Sequence, residues 1–140
     1  MTYTPNVEDT MPVPVEPAVL GVHLIGPQTA TTDVLVYIPW KHCRLAYAYT
    51  VTTVAEGNVN AVNIDLELNS NAAGQNAMEI DVAQNAAVGD IDEATIITAA
   101  DCKNLNRDDT SRDAINIELT SAGNTSWQGM LYMYFERDIG

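Results

Sequence analysis

The side chains of this 140-residue chain that could act as acids, bases, nucleophiles or metal ligands are few and scattered. There are two histidines, His23 and His42, and two cysteines, Cys43 and Cys102. His42, Cys43 and Cys102 could supply three ligands to a metal, but structural zinc takes its ligands as two close pairs, each about two to four residues apart. No second pair is present here. A Ser-His-Asp arrangement needs a strained turn to present its nucleophile, and no Gly-x-Ser-x-Gly occurs. Acidic residues are abundant, 19 in all. Asp90-Ile91-Asp92-Glu93 and Asp108-Asp109 offer oxygens that a calcium ion would accept, yet the spaced ligands and central glycine of an EF-hand loop are missing. Carboxylate pairs for glycoside hydrolysis arise by chance among so many acids. No catalytic residue, metal or cofactor is expected, and the chain reads as non-enzymatic.

Five of the acids instead follow a structural rhythm. Val62-Asn63-Ile64-Asp65-Leu66-Glu67-Leu68, Met78-Glu79-Ile80-Asp81-Val82 and Ile115-Asn116-Ile117-Glu118-Leu119 alternate apolar with acidic or amide residues. Successive side chains of a strand point to opposite faces, so each segment puts a greasy face inward and a carboxylate or amide face outward. The formal net charge is −13, with only 6 Lys and Arg against 19 acids. Such a chain is repelled by phosphate backbones and anionic lipid, which excludes direct nucleic-acid binding and membrane-surface binding. Lys103, Arg107 and Arg112 sit among Asp101, Asp108, Asp109 and Asp113, the mixed-sign composition of a solvated or salt-bridged loop. No apolar run approaches the ~20 residues that span a bilayer, and no signal-peptide pattern is visible. The widely spaced cysteines fit two buried thiols, with one long-range disulfide as the alternative.

The aromatic residues break the acidic rhythm. Tyr47 and Tyr49 share one face of a strand, Met130, Tyr132 and Tyr134 share a face of another, and Trp40 and Trp127 lie at strand ends. In the last strand Leu131, Met133 and Phe135 form the better core set, which leaves Met130, Tyr132 and Tyr134 facing away. A second apolar face on a strand implies cover. That cover is either a subunit contact or a sugar stacked on the rings, since aromatic side chains combine large apolar area with a polar tip.

The elements that hold these residues are strands. The pattern predicts them at Ala18–Ile25, Asp33–Ile38, Arg44–Thr53, Val62–Leu68, Ala77–Val82, near Thr95–Thr98, at Ala114–Thr120 and at Gly129–Arg137, with Gly, Asn, Asp and Pro between them. Asp90 or Asp92 could cap one helical turn between Asp90 and Ala100, but the β-branched Thr95, Ile96, Ile97 and Thr98 favour a strand there. The expected fold is all-β: an antiparallel sandwich of about eight strands, of jelly-roll or Greek-key type, over residues 18–140. Its core would hold Ile64, Leu66, Leu68, Ile80, Val82, Ile115, Ile117 and Leu119. An immunoglobulin-like sandwich is the alternative, and the missing Cys-Trp-Cys pattern counts against it. Residues 1–17 differ in kind. Pro5, Pro12, Pro14 and Pro17 favour an extended arm, with Val13, Val15, Val19 and Leu20 as apolar anchors and a disordered leader as the alternative. Such an arm reaches roughly 50 Å, enough to lie on a neighbouring subunit.

Three features in order resemble a family of small phage virion proteins. Asp33-Val34-Leu35-Val36-Tyr37-Ile38-Pro39 leads through a tight turn to Arg44-Leu45-Ala46-Tyr47-Ala48-Tyr49. Ala87-Val88-Gly89-Asp90-Ile91-Asp92 follows, and the last strand ends Tyr134-Phe135-Glu136-Arg137. The resemblance covers about residues 20 to 138 and is to the capsid decoration, or cement, proteins of tailed bacteriophages. It implies a non-enzymatic β-sandwich, made in the host cytoplasm, that binds the outer surface of the phage head. There it would bridge neighbouring major capsid protein subunits, often as a trimer. Pro5, Pro12, Val13, Pro14, Val15, Trp40, Tyr47, Tyr49, Trp127, Met130, Tyr132 and Tyr134 are the interface candidates. A carbohydrate-binding sandwich of a virion surface or tail fibre is the alternative, using Trp40, Trp127 or the tyrosines.

Overall fold

In the computed structural model the described residues are 18–26, 32–39, 42–55, 61–69, 76–103, 105, 113–121 and 125–138. They form nine strands: β1 Ala18–Ile25, β2 Thr32–Tyr37, β3 Cys43–Val54, β4 Val62–Leu68, β5 Asn76–Val82, β6 Ile91–Glu93, β7 Thr95–Ile96, β8 Ala114–Ser121 and β9 Gln128–Arg137. One turn of 3₁₀ helix, Ala99–Cys102, follows β7. The segment from Asp90 to Ala100 thus holds two short strands, in line with its β-branched residues; no helical turn follows Asp90 or Asp92, and the 3₁₀ turn starts only at Ala99, after Thr98. The arm expected at residues 1–17 lies outside the described residues.

The strands make two sheets, ordered β1-β9-β3-β6 and β2-β8-β4-β5-β7, with every pair antiparallel. The inward residues of both sheets join in one hydrophobic core, which makes the molecule a β-sandwich. Leu24, Leu45, Ala48, Leu131, Met133 and Phe135 come from the four-stranded sheet, and Ile64, Leu66, Ile80, Val82, Ile115, Ile117 and Leu119 from the five-stranded one. Leu68, expected in the core, is half-buried at its edge. The alternation works as the pleat requires: β9 buries Gly129, Leu131, Met133 and Phe135 and turns Met130, Tyr132 and Tyr134 outward.

Trp127 is a correction to the interface candidates. It is 0% exposed and lies in the core, so it can neither stack on a sugar nor touch a partner. The reason is local. Its backbone N–H donates to Thr125 Oγ1 at 3.1 Å and its carbonyl accepts from Gly26 N at 2.8 Å, which pins the residue ahead of β9. Its ring then reaches β3, where Nε1 donates to Thr52 Oγ1 at 2.9 Å. Gly129 makes room for the indole, because a Cβ there would sit 2.4 Å from Trp127 Cζ2.

Tight connections use the residues suited to them. Asn69 takes φ 64° after β4, a left-handed conformation that asparagine tolerates. Its backbone N–H donates to Ala114 O and its side-chain Oδ1 accepts from Ala114 N at 2.9 Å, tying this turn to the start of β8. His42 has φ 52° just before β3, and its carbonyl accepts from Asp138 N at 2.7 Å. The two cysteines are buried and not joined in a disulfide, as the thiol reading expects.

Candidate functional site

The outer face of the four-stranded sheet gathers the aromatic residues. Register places them in rows across the strands: Val19, Tyr134 and Tyr47 in one, Gly21, Tyr132, Tyr49 and Glu93 in the next, and His23, Met130, Val51 and Ile91 in a third. Tyr47 lies on the same outward side as Tyr49 by alternation, and a bulge between Leu45 and Tyr47 sets it opposite Tyr134 while Leu45 turns inward. The rings of Tyr49 and Tyr132 stack at 5.2 Å with planes 27° apart. Tyr47 packs at 5.6 Å from Tyr49 and 6.1 Å from Tyr134, both tilted. Such offset geometry is the favoured one between rings. Tyr132 also spreads over Gly21, where a Cβ would already be at 3.5 Å from its ring.

Polar groups sit at the borders of this face. Tyr47 Oη donates to Glu93 Oε1 at 2.8 Å, and that bond raises the phenol above its ordinary range. At one end Arg44 donates to Glu136 Oε2 through Nε at 3.1 Å and Nη2 at 2.6 Å, and this bond and charge raise the guanidinium. Between these borders the surface is apolar, with Ile25 61%, Ile91 62% and Val19 44% exposed at its margins. Tyr47 and Tyr49 share a face as expected, as do Met130, Tyr132 and Tyr134, and the β3–β9 register brings the two sets together, while Pro5, Pro12, Val13, Pro14, Val15 and Trp40 lie outside the described residues. Val19, His23, Val51, Ile91 and Glu93 complete the face and were not anticipated. The alternation of Val19, Gly21, His23 and Ile25 is their only local signal, and it says nothing of which strands lie beside β1.

The opposite outer face is acidic. Asp33, Glu118, Asp65 and Glu79 stand directly opposite one another across β2, β8, β4 and β5. Amides brace the row on both sides. Asn63 Nδ2 donates to Glu79 at 3.0 Å and Asp81 at 2.8 Å, and Asn116 Nδ2 donates to Glu67 at 3.1 Å and Asp33 at 3.2 Å. Burial, then the neighbouring carboxylates, push Asp65 and Glu118 above their ordinary range. Glu67, expected on a solvated face, is only 5% exposed because Asn116 lies directly across from it. Among the described residues no group of three or more His, Cys, Asp and Glu is placed to hold a metal ion.

One depression, about 320 Å³, opens beside the start of β3 and is lined by Arg44, Leu45, Ala46, Ile96, Ala99, Cys102, Lys103 and Glu136. Its chemistry is muted. The Cys102 thiol is raised by burial and then by Asp101, and donates toward Ala77 O at 3.4 Å, so it is a poor nucleophile. The guanidinium is already engaged by Glu136. No helix among the described residues is long and apolar enough to cross a membrane. Comparison with protein-family models, with curated proteins and with solved structures finds no match for this chain.

Proposed function

We propose that this chain is a structural virion protein, a capsid decoration protein that binds the outer surface of a tailed-phage head and bridges neighbouring major capsid subunits. The observation that carries the reading is the tyrosine face. It is an apolar surface edged by polar groups, a composition that suits a contact with protein. The strand order supports it. Taken without β7, the sheets β1-β9-β3-β6 and β2-β8-β4-β5 follow the order of a jelly roll, an architecture common in viral capsid and lectin domains. The three sequence motifs that resemble those of small phage virion proteins point the same way. The outward acidic row would face solvent, where it keeps the particle surface soluble and negative.

Undecorated heads incubated with the purified chain test this. The unsubstituted protein binds saturably and raises the temperature at which heads lose their DNA, whereas Tyr132→Asp, folded by circular dichroism, binds at far lower occupancy. Equal binding by the Tyr132→Asp variant would remove the face from the contact. A carbohydrate-binding role is the second reading, favoured by the stacked Tyr49 and Tyr132 beside the Glu93 carboxylate. It predicts glycan-array signals that Tyr49→Ala abolishes, and a silent array removes it.

A further inference from the structure

β1 is the outermost strand of the four-stranded sheet: it pairs with β9, and among the described residues no strand lies on its other side. The pairing runs from Ala18 opposite Phe135 to Ile25 opposite Gln128 without a bulge. Gly26 N donates to Trp127 O at 2.8 Å, which fixes the phase of the ladder. In an antiparallel sheet successive residues direct their N–H and C=O groups alternately to the two sides of the strand. Leu20, Val22 and Leu24 therefore bond to β9, and Val19, Gly21, His23 and Ile25 aim their backbone groups at the open edge. Natural edge strands are blunted by charged side chains, proline or bulges. Ala18–Ile25 contains no Asp, Glu, Lys, Arg or Pro.

We propose that β1 pairs antiparallel with β1 of a second copy, joining two four-stranded sheets edge to edge about a twofold axis. A row of outward N–H and C=O groups is matched by another strand, and charge decides which strand that is. Each chain carries −13, so two copies come together where the edge bears no acid. Among the other edges β2 carries Asp33, β6 carries Asp92 and Glu93, and β7 is only 2 residues long. β1 alone is both long and uncharged. Its register follows from the phase. With Val22 opposite its own copy, Val19 faces Ile25 and Gly21 faces His23, so all the outward backbone groups are paired. On the inner side Leu20 then faces Leu24, and Leu20 and Val22, half-buried at the margin of the core, gain cover. The sequence bounds the same register, since Pro17 and Pro27 flank Val22 symmetrically and have no N–H to give. The twofold axis stands normal to the sheet, which leaves both tyrosine faces on one side of the dimer. The pairing does not depend on what those faces contact.

Sedimentation velocity of the full chain over a range of concentration tests the proposal. The expected result is a reversible monomer–dimer equilibrium that tightens with added salt, which screens the repulsion between the copies. His23→Pro removes an outward N–H and spares the bonds to β9, and Ile25→Glu places a carboxylate on the edge. Each variant, folded by circular dichroism, should raise the dimer Kd at least about tenfold. Val22→Cys should form an intermolecular disulfide under mild oxidation, because residues directly opposite on adjacent strands lie within the Cα separation a disulfide needs. Val19→Cys should not, since in this register Val19 of one copy is roughly 20 Å along the strands from Val19 of the other. A monomer at every concentration, a trimer, a dimer that either folded edge variant leaves intact, or crosslinking of Val19→Cys in preference to Val22→Cys would each overturn the proposal.

Discussion

Two threonines on β3 make a matched pair. Thr50 and Thr52 are two residues apart on the inner side of the same strand, 0% and 1% exposed. Thr52 Oγ1 accepts the indole N–H of Trp127 at 2.9 Å, whereas Thr50 Oγ1 is buried with no hydrogen-bond partner. Valine matches threonine in shape and exchanges the hydroxyl for a methyl. Thr50→Val should therefore stabilise the fold by about 1 kcal/mol, since it removes a buried hydroxyl that has lost its water without gaining a bond. Thr52→Val should destabilise it by about 2 kcal/mol, because the Trp127 N–H is then stranded in the core. Urea unfolding followed by tryptophan fluorescence measures both. The two midpoints should move in opposite directions at constant slope, about 3 kcal/mol apart. If Thr50→Val costs as much as Thr52→Val, the Thr50 hydroxyl is bonded in solution and the reasoning fails.

Other outcomes follow from the acidic row and from the Trp127 pocket. Glu118 faces Asp33 on one side and Asp65 on the other. At ~5 Å in water and screened by salt, each facing pair costs roughly 0.4 kcal/mol. Glu118→Gln should thus stabilise by about 1 kcal/mol at pH 7, with the gain fading in high salt and as pH falls through the raised Glu118 value toward its ordinary 4.5; a loss of stability at pH 7 would contradict the row's repulsion. The unsubstituted chain should also respond to pH. Asp65, Asp92 and Glu118 are held above ordinary values of 3.8, 3.8 and 4.5, so the folded state binds these protons more tightly than the unfolded state does. Their contribution is present at and below those ordinary values and is lost as pH rises through the raised ones, which makes urea midpoints higher near pH 5 than at pH 7. Gly129→Ala drives a Cβ to 2.4 Å from the Trp127 ring and 3.0 Å from Val51 O, and should cost about 3 kcal/mol. Gly21→Ala meets only an ordinary 3.5 Å contact with Tyr132 and should change the melting temperature little.

The strands were legible because alternation is a local property. Ile64-Asp65-Leu66-Glu67 declares its two faces without reference to anything distant, and the outward turn of Tyr132 and Tyr134 follows from giving the core to Leu131, Met133 and Phe135. What alternation does not carry is neighbourhood. Glu67 looks like any outward acid until Asn116 is placed across from it. Likewise, Tyr49 and Tyr132 become a stacked pair only through the β3–β9 register, and Tyr47 comes opposite Tyr134 only through a bulge. Trp127 was misplaced for the same reason. A tryptophan beside a turn suits a surface, and nothing local shows that Thr52, far along the chain, offers an acceptor inside the core. β6 is too short to alternate visibly, yet it brings Glu93 and Ile91 to the edge of the tyrosine face.

The claim that this sandwich decorates a phage head is tested most directly by cryo-electron microscopy of undecorated heads incubated with the purified chain. The account predicts density for the sandwich on the outer surface, at regular positions where capsid subunits meet, with the tyrosine face covered and the row of Asp33, Glu118, Asp65 and Glu79 turned to solvent. Bare heads at saturating protein, or bound sandwiches with the acidic row against the shell and the tyrosines exposed, would contradict it.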